Sequence, residues 1–393
     1  MYNEVMYAMG VEPSVIRELF AYGVARKAEI GADKVFDFSI GNPSVPAPAS
    51  VGHALEEIAQ LPPAQVHAYT QAAGDPAVRT IIAENLNARF GTDYTAANLY
   101  LTCGAAASLS ISLKAVLEPN EEVVVVAPFF PEYRTWIETH GATLVMVPAR
   151  ESDFQIDLDA MAAAITPRTK AVIINSPNNP VGVVYSRETL EGLAALLNAK
   201  QDEFGTTIFL ISDEPYRELV YGGVEVPWVP SIYANTIVCY SWSKSLSLPG
   251  ERVGYILVPQ TLRDWEHIYF AVAGAGRALG FVCAPAIFQQ VIARCIDEPA
   301  DLAAYEHNRE LLTSMLDELG FEYIKPQGAF YLWMRSLDPD AKAFSEQAKK
   351  HELLIVASDS FGVEGWARLG YCIAPETITN SRDAFAALKA DYE

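Results

Sequence analysis

Cysteine is scarce in this sequence, and its pattern argues against two kinds of stabilising site. The chain has 393 residues and five cysteines, which are widely spaced, odd in number and never arranged as CxxC. Neither a disulfide framework nor a structural zinc site fits this pattern, so we expect no metal. The pattern is typical of a protein from a reducing cytoplasm. The cysteines are Cys103, Cys239, Cys283, Cys295 and Cys372.

Positive charge is also in short supply. The chain has 28 Lys and Arg residues against 49 Asp and Glu residues, which gives a formal net charge of -21. This excess of acid argues against a nucleic-acid partner and against docking on anionic membranes. It does not exclude small anionic ligands, because local arginines and helix N-termini can bind them.

Long hydrophobic runs are missing as well. The longest apolar stretch, around Val123 to Phe130, is far too short to span a bilayer. The segment from Met1 to Gly10 contains Glu4 and lacks the basic region and apolar core of a signal peptide. We therefore expect a cytoplasmic protein without a membrane partner.

The centre of the chain alternates strand-like and helix-like segments. A helix is predicted from Arg187 to Glu203 with Ser186 as its N-cap. Another is predicted to begin at Asp75, with Pro76 suited to the first helical position, and to end near Gly91. Short β-branched runs lie between such helices, and continuous apolar runs indicate strands that are covered on both faces. These strand candidates are Val123–Val126, Leu144–Val147, Val172–Ile174, Ile208–Ile211, Ile237–Tyr240 and Tyr255–Val258.

The predicted fold class is α/β, with a mostly parallel sheet between helices and a smaller α+β domain. We expect residues 1–45 to pack on or near the small domain, residues 46–285 to form the large domain, and residues 286–393 to form the small domain. A strand is expected at Phe36–Ile40. The C-terminal part contains the helix candidates Ala300–Leu319 and Ala341–His351 and the strand candidates Ala329–Met334 and Arg368–Ile373.

Ligands of open α/β sheets bind beyond the carboxyl ends of the strands, so the residues after each apolar run are the candidates for function. Four of these runs are followed by an aromatic pair, an Asn-rich turn, an acid with a tyrosine, and a serine and lysine cluster. These segments are Pro128–Pro131, Asn175–Gly182, Ser212–Tyr216 and Ser241–Lys244.

The last of these segments resembles a known motif. Residues Ser241–Gly254, which read SWSKSLSLPGERVG, resemble the attachment site for pyridoxal 5′-phosphate (PLP) in class I/II aminotransferases of fold type I, the aspartate aminotransferase-like enzymes. The turn Asn178–Gly182 and the pair Asp213 and Tyr216 stand in that family's order and approximate spacing. The resemblance covers nearly the whole chain. It implies an aminotransferase that moves an amino group from an L-amino acid to a 2-oxo acid by a ping-pong route.

The resemblance also implies roles around the cofactor ring. Lys244 would form the internal aldimine and carry protons, and Asp213 would pair with the pyridine nitrogen. Tyr216 and Asn179 would hydrogen-bond the phenolic oxygen of the ring. Phe130, or else Phe129, would stack on the ring face.

A phosphate site and a second subunit are implied in the same way. Ser241, Ser243 and Arg252 are the side-chain candidates for binding the phosphate. The helix N-terminus at Gly104, Ala105 and Ala106 would offer backbone N–H groups to it. In the family a tyrosine of the partner subunit also reaches the phosphate, and Tyr69 resembles that residue. The expected assembly is a homodimer with shared active sites.

For the substrate, Arg368 matches the family position that binds the α-carboxylate, where a guanidinium can form two parallel hydrogen bonds. Gly41 and Asn179 would lie beside it. Some family members that act on aspartate have a lysine where this chain has Ala106, so that way of binding a second carboxylate is in doubt here. Aspartate is not excluded as a substrate, because other subgroups of the family use an arginine from the partner chain. The family's usual threonine in the Asn-rich turn is Val181.

Two other functions use the same residues. A PLP-dependent C–S β-lyase needs the same cofactor set, and it would release pyruvate and ammonia without forming pyridoxamine phosphate. A non-catalytic regulatory module with this fold is the second alternative, although the acidic charge argues against the DNA-binding regulators of that kind.

Overall fold

The computed structural model describes residues 2–11 and 15–393. Its strands are β1 (Phe36–Asp37), β2 (Leu99–Thr102), β3 (Glu122–Ala127), β4 (Thr143–Pro148), β5 (Thr169–Asn175), β6 (Phe209–Asp213), β7 (Thr236–Ser241), β8 (Gly254–Leu257), β9 (Tyr323–Ile324), β10 (Tyr331–Arg335), β11 (Leu353–Leu354), β12 (Val356–Ala357) and β13 (Trp366–Gly370). Short 3₁₀ turns lie at Ala32–Lys34, Ala96–Asn98, Val229–Ser231 and Ser358–Phe361.

Helices separate most of these strands. They are α1 (Glu4–Val11), α2 (Val15–Ile30), α3 (Ala49–Ala59), α4 (Pro63–Val66), α5 (Pro76–Phe90), α6 (Ala105–Val116), α7 (Glu132–Thr139), α8 (Leu158–Ala164), α9 (Arg187–Phe204), α10 (Trp242–Ser245), α11 (Trp265–Leu279), α12 (Ala286–Cys295), α13 (Leu302–Leu319), α14 (Ala341–Lys349), α15 (Pro375–Asn380) and α16 (Arg382–Ala390). Among the described helices, none combines the length and apolarity needed to cross a membrane.

The central sheet has seven strands in the order β2-β8-β7-β6-β5-β3-β4. The neighbouring pairs from β7 to β4 are parallel, and β8 runs antiparallel to both β7 and β2. All six apolar runs that the sequence marks as strands lie in this sheet. The predicted α/β class with a mostly parallel sheet is therefore confirmed.

The sheet forms because helices cover both of its faces. Successive side chains of a strand point to opposite faces, and in β3 the pair Val124 and Val126 joins one apolar cluster while Val123 and Val125 join another. Helices α8 and α9 contribute to the first cluster, and α6 and α11 contribute to the second. Every residue of β3 is buried, which explains why the strand is continuously apolar after its first residue.

The predicted helix ends are also confirmed. The Ser186 side chain accepts a hydrogen bond from the backbone of Thr189 at the start of α9. The Asp75 side chain does the same for Ala77 at the start of α5, where Pro76 occupies the first turn. Helix α5 ends at Gly91, which has a φ of 65°. A left-handed residue of this kind favours glycine because a Cβ would be strained there.

The C-terminal part contains a four-stranded antiparallel sheet in the order β12-β13-β10-β9. Strand β1 pairs with β11, so the N-terminal segment lies against this part of the chain. In helix α2, Arg26 bonds to Glu352, and the Nζ atom of Lys27 lies 2.9 Å from the Asp37 carboxylate. Helix α12, which starts at the predicted boundary of residue 286, packs against α3 and α5. The division into domains stays a prediction.

Strand β1 is shorter than the predicted strand Phe36–Ile40. Beyond its ladder, the backbone carbonyls of Ser39 and Gly41 accept hydrogen bonds from side chains. The donors are Arg368 and Lys244, which brings the N-terminal segment into the candidate site described below.

The covering of the sheet by α9 gives a stability prediction. Leu193 is fully buried in the apolar cluster under α9, whereas Leu196 on the next turn is only partly buried. We expect Leu193→Ala to lower the free energy of unfolding by about 2–5 kcal/mol, as truncation of buried leucines does. Leu196→Ala should lower the free energy of unfolding by clearly less, because Leu196 is only partly buried. Urea unfolding followed by circular dichroism would compare them, and equal effects would contradict this description of the core.

Candidate active site

A cavity of about 290 Å³ lies at the carboxyl ends of β5, β6 and β7. The residues that the sequence nominates line this cavity, except for Gly104, Tyr69 and Phe129, the alternative to Phe130. The lining residues are Ile16, Gly41, Ala105, Ala106, Leu109, Phe130, Trp136, Asn175, Asn179, Asp213, Pro215, Tyr216, Ser241, Ser243, Lys244, Pro249, Arg252, Tyr331 and Arg368.

Lys244 extends into the cavity from α10, the short helix directly after β7. Its Nζ atom donates to the carbonyl oxygen of Gly41 at 2.6 Å and lies 5.3 Å from the centre of the Phe330 ring. Burial lowers the pKa of Lys244 to about 8, because the ammonium form loses its hydration. The neutral, nucleophilic form of this amine is consequently far more populated near neutral pH than it is in an ordinary lysine.

Asp213 is the last residue of β6, and its carboxyl group has one satisfied and one free oxygen. The Tyr133 hydroxyl donates to Oδ2 at 2.5 Å. The Oδ1 atom is buried and has no hydrogen-bond partner among the described residues. Burial raises the pKa of Asp213 to about 7, and the bond from Tyr133 acts in the opposite direction. A buried acid with an unsatisfied oxygen is costly unless a ligand supplies a donor.

Two further polar side chains lie beside Asp213. The Tyr216 hydroxyl is 3.2 Å from the Tyr331 hydroxyl, and burial raises the pKa of Tyr216 well above its ordinary value. The backbone N–H of Asn179 donates to the Asn175 side chain at 2.7 Å. The Asn175 amide in turn donates to the carbonyl oxygen of Asp213 at 2.8 Å. The Asn-rich turn is thereby joined to the end of β6.

The aromatic pair after β3 divides between the cavity and the core. Phe130 lines the cavity and is only partly buried, with its ring edge-on to Tyr133 and Trp136. Phe129 is buried, and its backbone N–H donates to the carbonyl oxygen of Phe361 at 3.0 Å. Of the two, Phe130 is therefore the one with a face available to a ligand.

Hydroxyl and guanidinium groups gather at one end of the cavity. The Ser241 and Ser243 hydroxyls are 2.6 Å apart, and Arg252 donates to Ser243 at 3.4 Å and to the carbonyl oxygen of Cys103 at 3.3 Å. Gly104 caps the N-terminus of α6 with a φ of 83°. A Cβ on Gly104 would lie 2.5 Å from an Arg252 nitrogen, so any side chain there would force this guanidinium to move.

Arg368 approaches the cavity from β13. It is buried, and it donates to the carbonyl oxygen of Ser39 at 2.7 Å and to the Asn179 side chain at 3.2 Å. Its guanidinium carbon also lies 4.4 Å from the centre of the Tyr331 ring. The Nε atom has no partner among the described residues. The guanidinium thus keeps donor capacity for an anionic ligand.

Tyr69 lies outside this cavity, and 95% of its surface is exposed. Gly104 lies directly behind the cavity wall, where it meets Arg252.

Sequence reasoning assigned no role to several residues that line the cavity or contact a residue that does. Tyr133 lies three residues after Phe130 on α7, and Asn175 ends β5 in register with Asp213. Asn175 follows the strand-end rule that selected the other residues, so it could have been found. Three further lining residues lie in elements that no sequence motif marks. They are Tyr331, Ile16 and Trp136.

The comparisons with known proteins agree with this geometry. The model of the family "Aminotransferase class I and II" matches residues 33–385. The chain belongs to this family. It is a PLP-dependent aminotransferase, and neither the C–S lyase nor the non-catalytic module is favoured.

Individual relatives span nearly all of the enzyme. It is similar to aromatic-amino-acid aminotransferase 2 of Thermococcus litoralis, with 28% identity over 95% of each chain. It shares 30% identity with the aspartate/prephenate aminotransferase of Thermus thermophilus, over 81% of this chain and 82% of that one. An aminotransferase of Eubacterium rectale is 50% identical with a TM-score of 0.98, and the match covers 100% of this chain and 99% of that chain.

The cavity residues of this enzyme fit PLP. The amine of Lys244 and the free Oδ1 of Asp213 border the same space, as a carbonyl and a ring nitrogen require. The hydroxyls of Ser241 and Ser243 and the guanidinium of Arg252 form a group of phosphate donors at one end.

The close contact at Gly104 can be tested by adding a methyl group. Gly104→Ala should displace Arg252 and strain the start of α6, so we expect about a 10-fold or greater loss of PLP affinity, the equivalent of one charged hydrogen bond. Gly250→Ala is the matched control, because a Cβ there has nothing within 4 Å. Equilibrium dialysis of PLP would measure both, and equal affinities would contradict the assignment.

Proposed function

We propose that the cavity at the ends of β5, β6 and β7 is the active site, in which an amino group moves from an L-amino acid to a 2-oxo acid in two half-reactions. The observation that carries this proposal is the pairing of a weakly basic buried amine, Lys244, with the unpartnered acid oxygen of Asp213 in one cavity. PLP, when bound, supplies an electron sink for the carbanion formed at the substrate's Cα atom.

Lys244 acts first as the attachment point of the cofactor and then as the base and acid of the reaction. Its lowered pKa supports this role, because a general base works best when its pKa is near the operating pH. The Gly41 carbonyl, which accepts from Nζ, holds the amine in the cavity. In its neutral form the amine would take the proton from Cα and return it at the neighbouring carbon.

The remaining cofactor contacts fall into two groups, those to the ring and those to the phosphate. Asp213 would pair with the ring nitrogen of PLP, Tyr216 and Asn179 would hydrogen-bond its phenolic oxygen, and Phe130 would cover a ring face. The phosphate is bound by the N–H groups at the start of α6, with the side chains of Ser241, Ser243 and Arg252.

Tyr69 acts from the partner subunit in this proposal, and the enzyme works as a cytoplasmic homodimer with shared active sites. The 95% exposure of this aromatic ring supports the assignment, because such a ring is normally covered by a second molecule when it has a function.

Arg368 binds the α-carboxylate of the substrate, beside Gly41 and Asn179. Its existing bonds to Ser39 and Asn179 fix the guanidinium plane, so little freedom is lost when the carboxylate binds.

The side chain of the substrate meets an apolar wall. Ile16, Leu109 and Trp136 line the cavity, and the cations among its described lining residues are Lys244, Arg252 and Arg368, each of which already has a role. Ala106 offers no charge for a second carboxylate. We therefore infer a preference for amino acids with apolar or aromatic side chains over aspartate.

The central test is a half-reaction followed by absorption spectroscopy. Mixing the holoenzyme with one equivalent of an accepted amino acid should convert the cofactor to pyridoxamine phosphate and release the matching 2-oxo acid in equal amount. Borohydride reduction and peptide mapping of the resting enzyme should find the pyridoxyl group on Lys244. Pyruvate and ammonia without pyridoxamine phosphate would contradict transamination.

Specificity can be tested with leucine, phenylalanine and aspartate as donors. We expect leucine or phenylalanine to react about 10-fold or more faster than aspartate, because the wall offers apolar contacts and no spare cation. Ala106→Lys should shift the ratio towards aspartate. Leu109→Val, which keeps the wall apolar, is the control. A wild-type preference for aspartate would overturn the inferred substrate class.

A further inference from the structure

Tyr133 is a buried residue that the proposed function does not use. Only 2% of it is exposed, and its ring packs among Phe129, Phe130 and Trp136. Its hydroxyl nevertheless does not point to solvent or to a backbone carbonyl. It donates to the Asp213 carboxylate at 2.5 Å.

This hydrogen bond determines which carboxyl oxygen remains free. Tyr133 takes Oδ2, and the Asn175 amide adds a longer bond to the same oxygen at 3.4 Å. The Asn175 side-chain amide cannot exchange the positions of its oxygen and nitrogen without losing a hydrogen bond, because its oxygen accepts from the backbone N–H of Asn179. Oδ1 is consequently the carboxyl oxygen that has no hydrogen-bond partner among the described residues.

We propose that Tyr133 is a positioning residue, which favours the ionised form of the Asp213 carboxyl and would present its Oδ1 atom to the ring nitrogen of the cofactor. This inference rests on the proposed role of Asp213. The physical reason is that a hydroxyl donor stabilises a carboxylate more than a carboxylic acid, which compensates part of the cost of burying the charge.

No other titratable group facing Asp213 can take this role. Glu214 is adjacent and acidic, and its repulsion raises the pKa of Asp213. Tyr216 follows in the next turn, where its hydroxyl lies against Tyr331, and Cys239 on β7 lies against Ser112. Among the described residues, Tyr133 is the one whose hydroxyl donates to this carboxylate.

The first experiment uses the cofactor-free enzyme. The protonation of Asp213 would be followed by infrared difference spectroscopy, with its band assigned by its loss in Asp213→Asn. In the wild-type protein the midpoint should lie at about 7. In Tyr133→Phe it should rise by about one to two pH units, since one charged hydrogen bond is lost.

Two variants exclude a merely structural explanation. Tyr233→Phe also removes a hydroxyl from a buried tyrosine, one that bonds to the carbonyl oxygen of Ile208 at 2.7 Å, and it should leave the midpoint unchanged. 3-Fluorotyrosine at position 133 is a stronger donor and should lower the midpoint. The fluorinated tyrosine should keep its own proton, because burial raises the pKa of Tyr133 well above its ordinary value.

The second experiment uses PLP labelled with ¹⁵N in the ring. In the wild-type holoenzyme the nitrogen resonance should be that of a protonated ring, and in Tyr133→Phe it should move towards the unprotonated position. An unchanged midpoint and an unchanged resonance in Tyr133→Phe would overturn the inference. If instead Asp213→Asn leaves the wild-type resonance unchanged, the proposed role of Asp213 fails, and the cofactor-free titration still reports on Tyr133 alone.

Discussion

The parallel register of β5, β6 and β7 is the constraint on which the site depends. Asn175 pairs with Asp213, and Asp213 pairs with Cys239, so the three strands end at one edge of the sheet. Helices bury both faces of these strands, and a slip of one residue would turn every side chain to the opposite face. The backbone ladder therefore fixes where the acid and the lysine lie, and the loops only complete the cavity.

The burial that stabilises the sheet also sets the electrostatics. It raises the pKa of Asp213 to about 7 and lowers the pKa of Lys244 to about 8, so both charged forms are disfavoured in the same space. Such opposed shifts are typical of functional sites, where the rest of the fold offsets the unfavourable desolvation. No described residue donates a hydrogen bond to the Oδ1 atom of Asp213. A ligand with a protonated ring nitrogen would supply that donor.

Much of this could be predicted from sequence because it follows local rules. Continuous apolar runs mark buried strands, and the polar residues just after them, such as Asp213 and Lys244, meet at one sheet edge. Contacts made by elements that are distant in the sequence cannot be predicted from such local patterns. Tyr331 comes from a strand of the C-terminal sheet and Ile16 from an N-terminal helix, and neither belongs to a motif. The tertiary hydrogen bonds beyond the ladder of β1 are likewise encoded by no local propensity.

The backbone of the N-terminal segment links the lysine and the buried arginine of the site to residues far away in the sequence. The carbonyl oxygen of Ser39 accepts from Arg368, and that of Gly41 accepts from Lys244. One short backbone segment therefore contacts both the proposed carboxylate-binding arginine and the lysine. Because backbone atoms make these contacts, substitutions of side chains there would be tolerated more easily than displacements of the chain. Insertions or deletions upstream would act as active-site mutations, and natural variation in length should avoid this stretch.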